Sequence, residues 1–84
     1  MTKTQIRDEI TTVLLEMGVP AKAITNNASF YKDLGLDSLD FTELIMECEV
    51  RLGLDMNCTD IENLKTVKDT IDYVSQLIKQ DVPA

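Results

Sequence analysis

The amino-acid sequence predicts an all-α fold: a small bundle of three main helices plus one short helix, with a long ordered loop between the first two. Three observations carry that prediction. Apolar residues recur at helical spacing in three separate stretches, no stretch alternates with the period of two that marks a half-buried strand, and start and stop signals bracket each helical stretch. The 84 residues are 44% hydrophobic and 27% charged, with 3 Gly and 2 Pro, a globular composition. A prior of about 100 to 200 residues per domain makes residues 1–84 a single domain, with no room for a separate catalytic one. With no Trp, the core must be built mainly from Leu, Ile and Val. A chain this short buries only about 60% of the surface its unfolded form exposes, so its stability margin is modest.

The first helix is read from Ile6, Ile10, Val13, Leu14 and Met17, which share one face. Thr2 and Gln5 have capping-box spacing at its start, and Gly18 with Pro20 stops it. The stretch from Gly18 to Asp37 is long for a helix connection, which usually takes about 2 to 8 residues. It must pack itself down: Ile24, Phe30, Tyr31, Leu34 and Leu36 are spaced to pin it over the bundle, while Asn26, Asn27, Ser29 and Gly35 supply turns. The second main helix carries Phe41, Leu44, Ile45, Cys48 and Leu52, from an N-cap at Asp37 or Ser38 to the stop at Gly53. Thr59 and Glu62 then have capping-box spacing ahead of Leu64, enough for one short helical turn. The last helix follows Thr66 as N-cap and carries Val67, Ile71, Val74 and Ile78.

Eight Lys and Arg stand against 15 Asp and Glu, a net charge of -7, which repels nucleic-acid phosphates and anionic lipid headgroups and favours basic protein surfaces. The flanks are neutral. Residues 36–63 hold Asp37, Asp40, Glu43, Glu47, Glu49, Asp55, Asp60 and Glu62 against Arg51 alone, so the excess lies in the middle third. Cys48 and Cys58 have no CxxC spacing and there is no His, so no zinc site is expected; a small buried hydrophobe and a loop thiol are. No apolar run approaches the ~20 residues of a membrane span and no signal peptide is evident, which points to a cytoplasmic location without stable membrane insertion.

Catalysis fails by elimination. Ser38 is conspicuous at a helix start, yet with no His the usual base for a nucleophilic serine is absent. An EF-hand register starting at Asp33 puts Gly35 at position 3, Ser38 where Gly is needed and Leu44 where the bidentate Glu belongs, and no P-loop or dinucleotide fingerprint occurs. No metal site and no enzyme is expected.

What remains is Asp33-Leu34-Gly35-Leu36-Asp37-Ser38-Leu39-Asp40. With Ile24-Thr25-Asn26-Asn27-Ala28-Ser29-Phe30 before it, Glu43-Leu44-Ile45-Met46-Glu47 after it, and Thr66-Val67 through Ile71-Asp72-Tyr73-Val74 near the end, nearly the whole chain resembles an acyl carrier protein. The resemblance implies that Ser38 carries 4'-phosphopantetheine, derived from coenzyme A, through a phosphodiester, and that the terminal thiol of the arm holds acyl groups as thioesters. It also implies that Asp37 aids Mg2+-dependent loading by a phosphopantetheinyl transferase, and that acyl-processing enzymes are the partners of a monomeric carrier. Physics makes the placement sensible, because free N–H groups and the positive end of the helix dipole favour a phosphodiester anion. An ordinary N-cap is the common fate of a Ser at a helix start.

On a wheel of about 100° per residue with Leu39 at zero, the core set of the second helix spans about 140° to 240°, whereas Met46 and Val50 fall within about 20° of Leu39. Leu39, Met46 and Val50, with Asp40, Glu43 and Glu47, read as a docking strip in which carboxylates steer a basic partner and the apolar stripe is desolvated on contact. The resemblance points to the same helix for partner recognition. After Gly53 the family's common Ile-Pro-Asp-Glu-like stretch is replaced by Met56-Asn57-Cys58-Thr59-Asp60, and Arg51 puts a cation at the end of the acidic helix. A fatty-acid carrier, a dedicated polyketide, aminoacyl or peptidyl carrier, and an unmodified acidic helical adaptor remain open.

Overall fold

The computed structural model describes residues 2–80, and within them the side chains of all but residues 58, 79 and 80. Helix α1, Lys3–Glu16, starts from the expected box: Thr2 Oγ1 accepts from the Gln5 amide and the Gln5 side chain accepts from the Thr2 amide. It buries Ile6, Ile10, Val13 and Leu14 and ends at Met17, after which Gly18 adopts a left-handed φ of 95°. Helix α2 covers Ser38–Leu52, and Gly53 closes it in the αL conformation. Of its predicted core set, Phe41, Leu44, Ile45 and Cys48 are buried and Leu52 is half-buried.

Helix α3 is a single turn, Cys58–Ile61. Its start lies earlier than the Thr59–Glu62 spacing indicates: Asn57 Oδ1 accepts from the Thr59 amide at 2.8 Å, so Asn57 is the cap. Asn ranks at least with Thr in that role, and here it begins the turn two residues sooner. The expected loop thiol, Cys58, opens this turn, and its side chain lies outside the described ones. Helix α4, Val67–Gln80, is opened by a reciprocal Thr66 and Asp69 box and buries Val67, Ile71 and Val74. Thr70 is buried too, its hydroxyl donating to the Thr66 carbonyl at 3.3 Å.

The connection from α1 to α2 is ordered by both of its predicted means. Ile24, Phe30 and Leu36 are buried and Leu34 is half-buried. Tyr31 is the exception, 47% exposed, with its ring centroid 5.9 Å from that of Phe41; packing one ring face while the hydroxyl stays wet suits a phenol. A short 3-10 turn at Ala21–Ala23 and the burial of Val19 and Ala28 were not expected. The loop is also joined through its backbone to the start of α4: Phe30 N–H donates to Lys65 O, Val67 N–H to Ala28 O and Lys68 N–H to Asn26 O. Ser29 and Thr66 thereby form an isolated antiparallel bridge, the one sheet-like pairing among the described residues. Helices α2 and α4 each pack against α1, and the buried residues of the loop and all three long helices form one cluster.

Candidate functional site

The site begins with the residue that is not Ser38. Asp37 is the N-cap of α2: its carboxylate accepts from the Asp40 amide at 2.9 Å, and Asp40 Oδ2 accepts from the Asp37 amide at 3.3 Å. Of the two caps that the sequence allows, Asp37 takes the position, and Ser38 becomes the first helical residue, exposed and with its hydroxyl making no hydrogen bond to the protein. The amides of Ser38 and Leu39 precede the first intrahelical bond, Phe41 N–H to Asp37 O, and carry no partner. An exposed hydroxyl beside two unpartnered amides at the positive end of a helix suits a phosphodiester, so the residues present fit a phosphate-linked group on Ser38. Asp37 keeps one carboxylate oxygen out of the capping bond. Among the described residues no cluster of three or more metal-ligating side chains occurs.

Beside Ser38 opens a cleft of about 880 Å³. Its apolar lining comes from α2 (Phe41, Ile45, Met46) and from the segment beyond it (Met56, Ile61, Leu64), and Tyr31 joins from the long loop. Polar bonds hold the far wall. Glu49 Oε2 accepts from the Met56 amide at 3.0 Å. The Tyr73 hydroxyl accepts from the Asn57 amide at 3.1 Å and donates to Asp60 Oδ2 at 3.2 Å, tying α3 to α4. Burial raises the Tyr73 pKa, the Asn57 amide opposes that, and Asp60 adds to it, so the phenol stays protonated and able to donate.

Along the outer face of α2, Leu39, Met46 and Val50 are 75%, 59% and 79% exposed, the arrangement that the helical wheel gives. Glu43 and Glu47 flank them, exposed, while Asp40 is half-buried within the cap. At the far end Arg51 meets three carboxylates. Its Nη1 lies 3.4 Å from Glu9, Nη2 3.0 Å from Glu16, and Nε 3.9 Å from Glu47. Burial acts to lower the Arg51 pKa, but Glu16 and Glu9 outweigh it and raise it, so the guanidinium is charged at any working pH.

Sequence reasoning missed the Arg51 cluster, the Glu49 and Tyr73 ties and the cleft. The i,i+4 spacing of Glu47 and Arg51 and the i,i+7 spacing of Glu9 and Glu16 were visible signals for the first. Cys48 is buried without exposure, and burial, offset in part by Arg51 and reinforced by Glu47, pushes its thiol up to about 12. It is a packing residue that offers no thiolate to compete with a thiol carried elsewhere.

Comparison with known proteins agrees with this geometry. A family model described as "Phosphopantetheine attachment site" matches residues 6–74. The acyl carrier protein of Nitratidesulfovibrio vulgaris (strain DP4) is 46% identical over 63 residues, covering 75% of this chain and 83% of the relative. That of Chlamydia caviae is 40% identical over 70 residues, covering 82% and 91%. Family match, helical architecture and a serine held free of the capping role thus converge, and the chain belongs to the acyl carrier proteins, a phosphopantetheine-bearing carrier and not an enzyme.

Proposed function

We propose that residues 1–84 act as one carrier domain in which Ser38 is the attachment point of 4'-phosphopantetheine. The observation that carries this is the division of labour at the start of α2: Asp37 caps the helix, leaving the Ser38 hydroxyl exposed and uncommitted. When bound, the group supplies a terminal thiol that holds acyl chains as thioesters. The chain's own residues do the rest. The free amides of Ser38 and Leu39 face the phosphodiester, and Asp37 and Asp40 repel it from the acidic surface. Asp37 aids Mg2+-dependent loading through its remaining oxygen. The cleft walled by Phe41, Ile45, Met56 and Leu64 shelters an apolar acyl chain, each buried CH2 contributing about 0.8 kcal/mol.

Leu39, Met46 and Val50, with Asp40, Glu43 and Glu47, form the face on which a phosphopantetheinyl transferase and acyl-processing enzymes with basic surfaces dock. The setting is cytoplasmic fatty-acid or related acyl-chain biosynthesis, the carrier acting as a monomer; among the described residues no helix is long and apolar enough to cross a membrane. Intact mass after co-expression with a broad-specificity transferase tests the attachment. One added phosphopantetheine on the wild-type chain and none on Ser38→Ala is expected. An unmodified wild-type chain leaves the acidic adaptor in its place, and the mass of protein from its native cell identifies the cargo, whether fatty acyl, polyketide, aminoacyl or peptidyl.

A further inference from the structure

Arg51 is the lone cation of residues 36–63, and the fold surrounds it with carboxylates from two helices. Glu9 and Glu16 reach it from α1, at 3.4 and 3.0 Å, and Glu47 from the preceding turn of α2, at 3.9 Å. Glu47 also borders the exposed apolar strip, whose last member, Val50, adjoins Arg51 in sequence and is 79% exposed. At the opposite end, beside Ser38, Asp40 and Glu43 have no ion pair among the described residues. The docking face therefore has a direction: an uncompensated acidic pole next to the attachment serine, and a compensated, apolar end one helix length away.

We propose that Arg51 is a specificity-determining residue of this face, selecting partners whose cations lie at one end of an apolar ridge and orienting them so that those cations meet Asp40 and Glu43 beside Ser38. The inference rests on the docking role given to α2 above. A partner with cations along its whole ridge would set one against the guanidinium, and like charges brought together on desolvation discriminate strongly. Removing Arg51 would leave Glu9, Glu16 and Glu47 as a second acidic pole at the wrong end. Partner cations bound there would form a complex in which Ser38 is out of reach, occupied but inert.

The test is steady-state loading of the apo chain by a broad-specificity phosphopantetheinyl transferase, with coenzyme A saturating. Inert complexes lower kcat and KM by the same factor. Arg51→Gln is expected to lower both by about threefold at about 50 mM salt, where long-range attraction acts, and to match wild type at about 1 M salt, where it is screened. Arg51→Lys should behave as wild type, since it restores the charge. Lys68→Gln makes the same charge change on an exposed residue of α4 and should leave kcat unchanged. If Arg51→Gln merely copies Lys68→Gln, or if its kcat loss persists at high salt or is not restored by Lys, the proposal is overturned. Glu43→Gln separates the two levels: a raised KM upholds the docking face whatever Arg51 does, and an unchanged KM removes the face and this inference with it.

Discussion

At the scale of single residues, Asp37 and Ser38 adjoin in sequence and divide two jobs that sequence alone leaves undivided. A serine at a helix start is read first as a cap, and nothing in the local pattern says which neighbour takes that role. The structure assigns the cap to Asp37, and this makes the two substitutions differ in kind. Ser38→Ala removes an exposed hydroxyl and should move stability by no more than about 0.5 kcal/mol while abolishing loading. Asp37→Ala removes the cap and should cost about 0.5 to 2 kcal/mol. Thermal melts of both variants beside intact-mass loading check this, and a large melting loss in Ser38→Ala would return the cap to Ser38. Cys48 gives a second test. Its thiol is raised from 9.0 to about 12 by burial, so the folded state holds its proton where the unfolded state releases it. Its contribution to stability is complete below pH 9.0 and is lost as pH climbs from there toward about 12. In a Cys58→Ser background, the thiol should resist an aromatic disulfide reagent at pH 8 until denaturant is added. Prompt labelling of the folded protein would contradict the packing that buries it.

At the scale of elements, the outer face of α2 was legible because a helical wheel needs only the sequence of one helix. The core set and the opposed strip of Leu39, Met46 and Val50 fall out of a single period, and the solved exposures of 75%, 59% and 79% follow it. Met46→Glu should therefore leave helicity and melting nearly unchanged while shortening the lifetime of the transferase complex, since short-range desolvated contacts govern dissociation. Surface plasmon resonance and circular dichroism read the two effects separately, and unfolding of the variant would place Met46 in the core. Helix α3 was harder to read, because a four-residue turn owes little to its own sequence. It is held from outside, by the Tyr73 hydroxyl on Asn57 and Asp60 and, just before it, by Glu49 on Met56. Tyr73→Phe removes two hydrogen bonds at net values of about 0.5 to 1.5 kcal/mol each. Amide exchange should then quicken in residues 57–61 with α1 and α4 unaffected. Uniform quickening across the chain would mean that Tyr73 supports the whole bundle.

At the scale of the whole molecule, features built from distant parts of the chain are those that the sequence hid. The cleft takes Tyr31, Phe41, Met56 and Leu64 from four segments, and Arg51 meets carboxylates 35 and 42 residues away; neither juxtaposition has a local period to betray it. The cleft makes a global prediction. A medium-length saturated acyl chain on the arm should raise the melting temperature above that of the unacylated form, since N-state burial of the chain shifts unfolding by mass-action logic. Equal melting temperatures, measured by calorimetry, would keep the cargo in water. The backbone seam between the long loop and the start of α4 has a kinetic counterpart. Joining Ser29 to Thr66 closes a ring of roughly forty residues, an entropic toll of about 3 kcal/mol before any seam bond forms. The helices, whose contacts are local, bear no such toll and should assemble first. The seam is then late in folding and early in unfolding, so Ala28→Gly should accelerate unfolding in stopped-flow experiments while hardly slowing refolding. This carrier would thus come apart from the loop beside its cargo cleft, with the three long helices still paired.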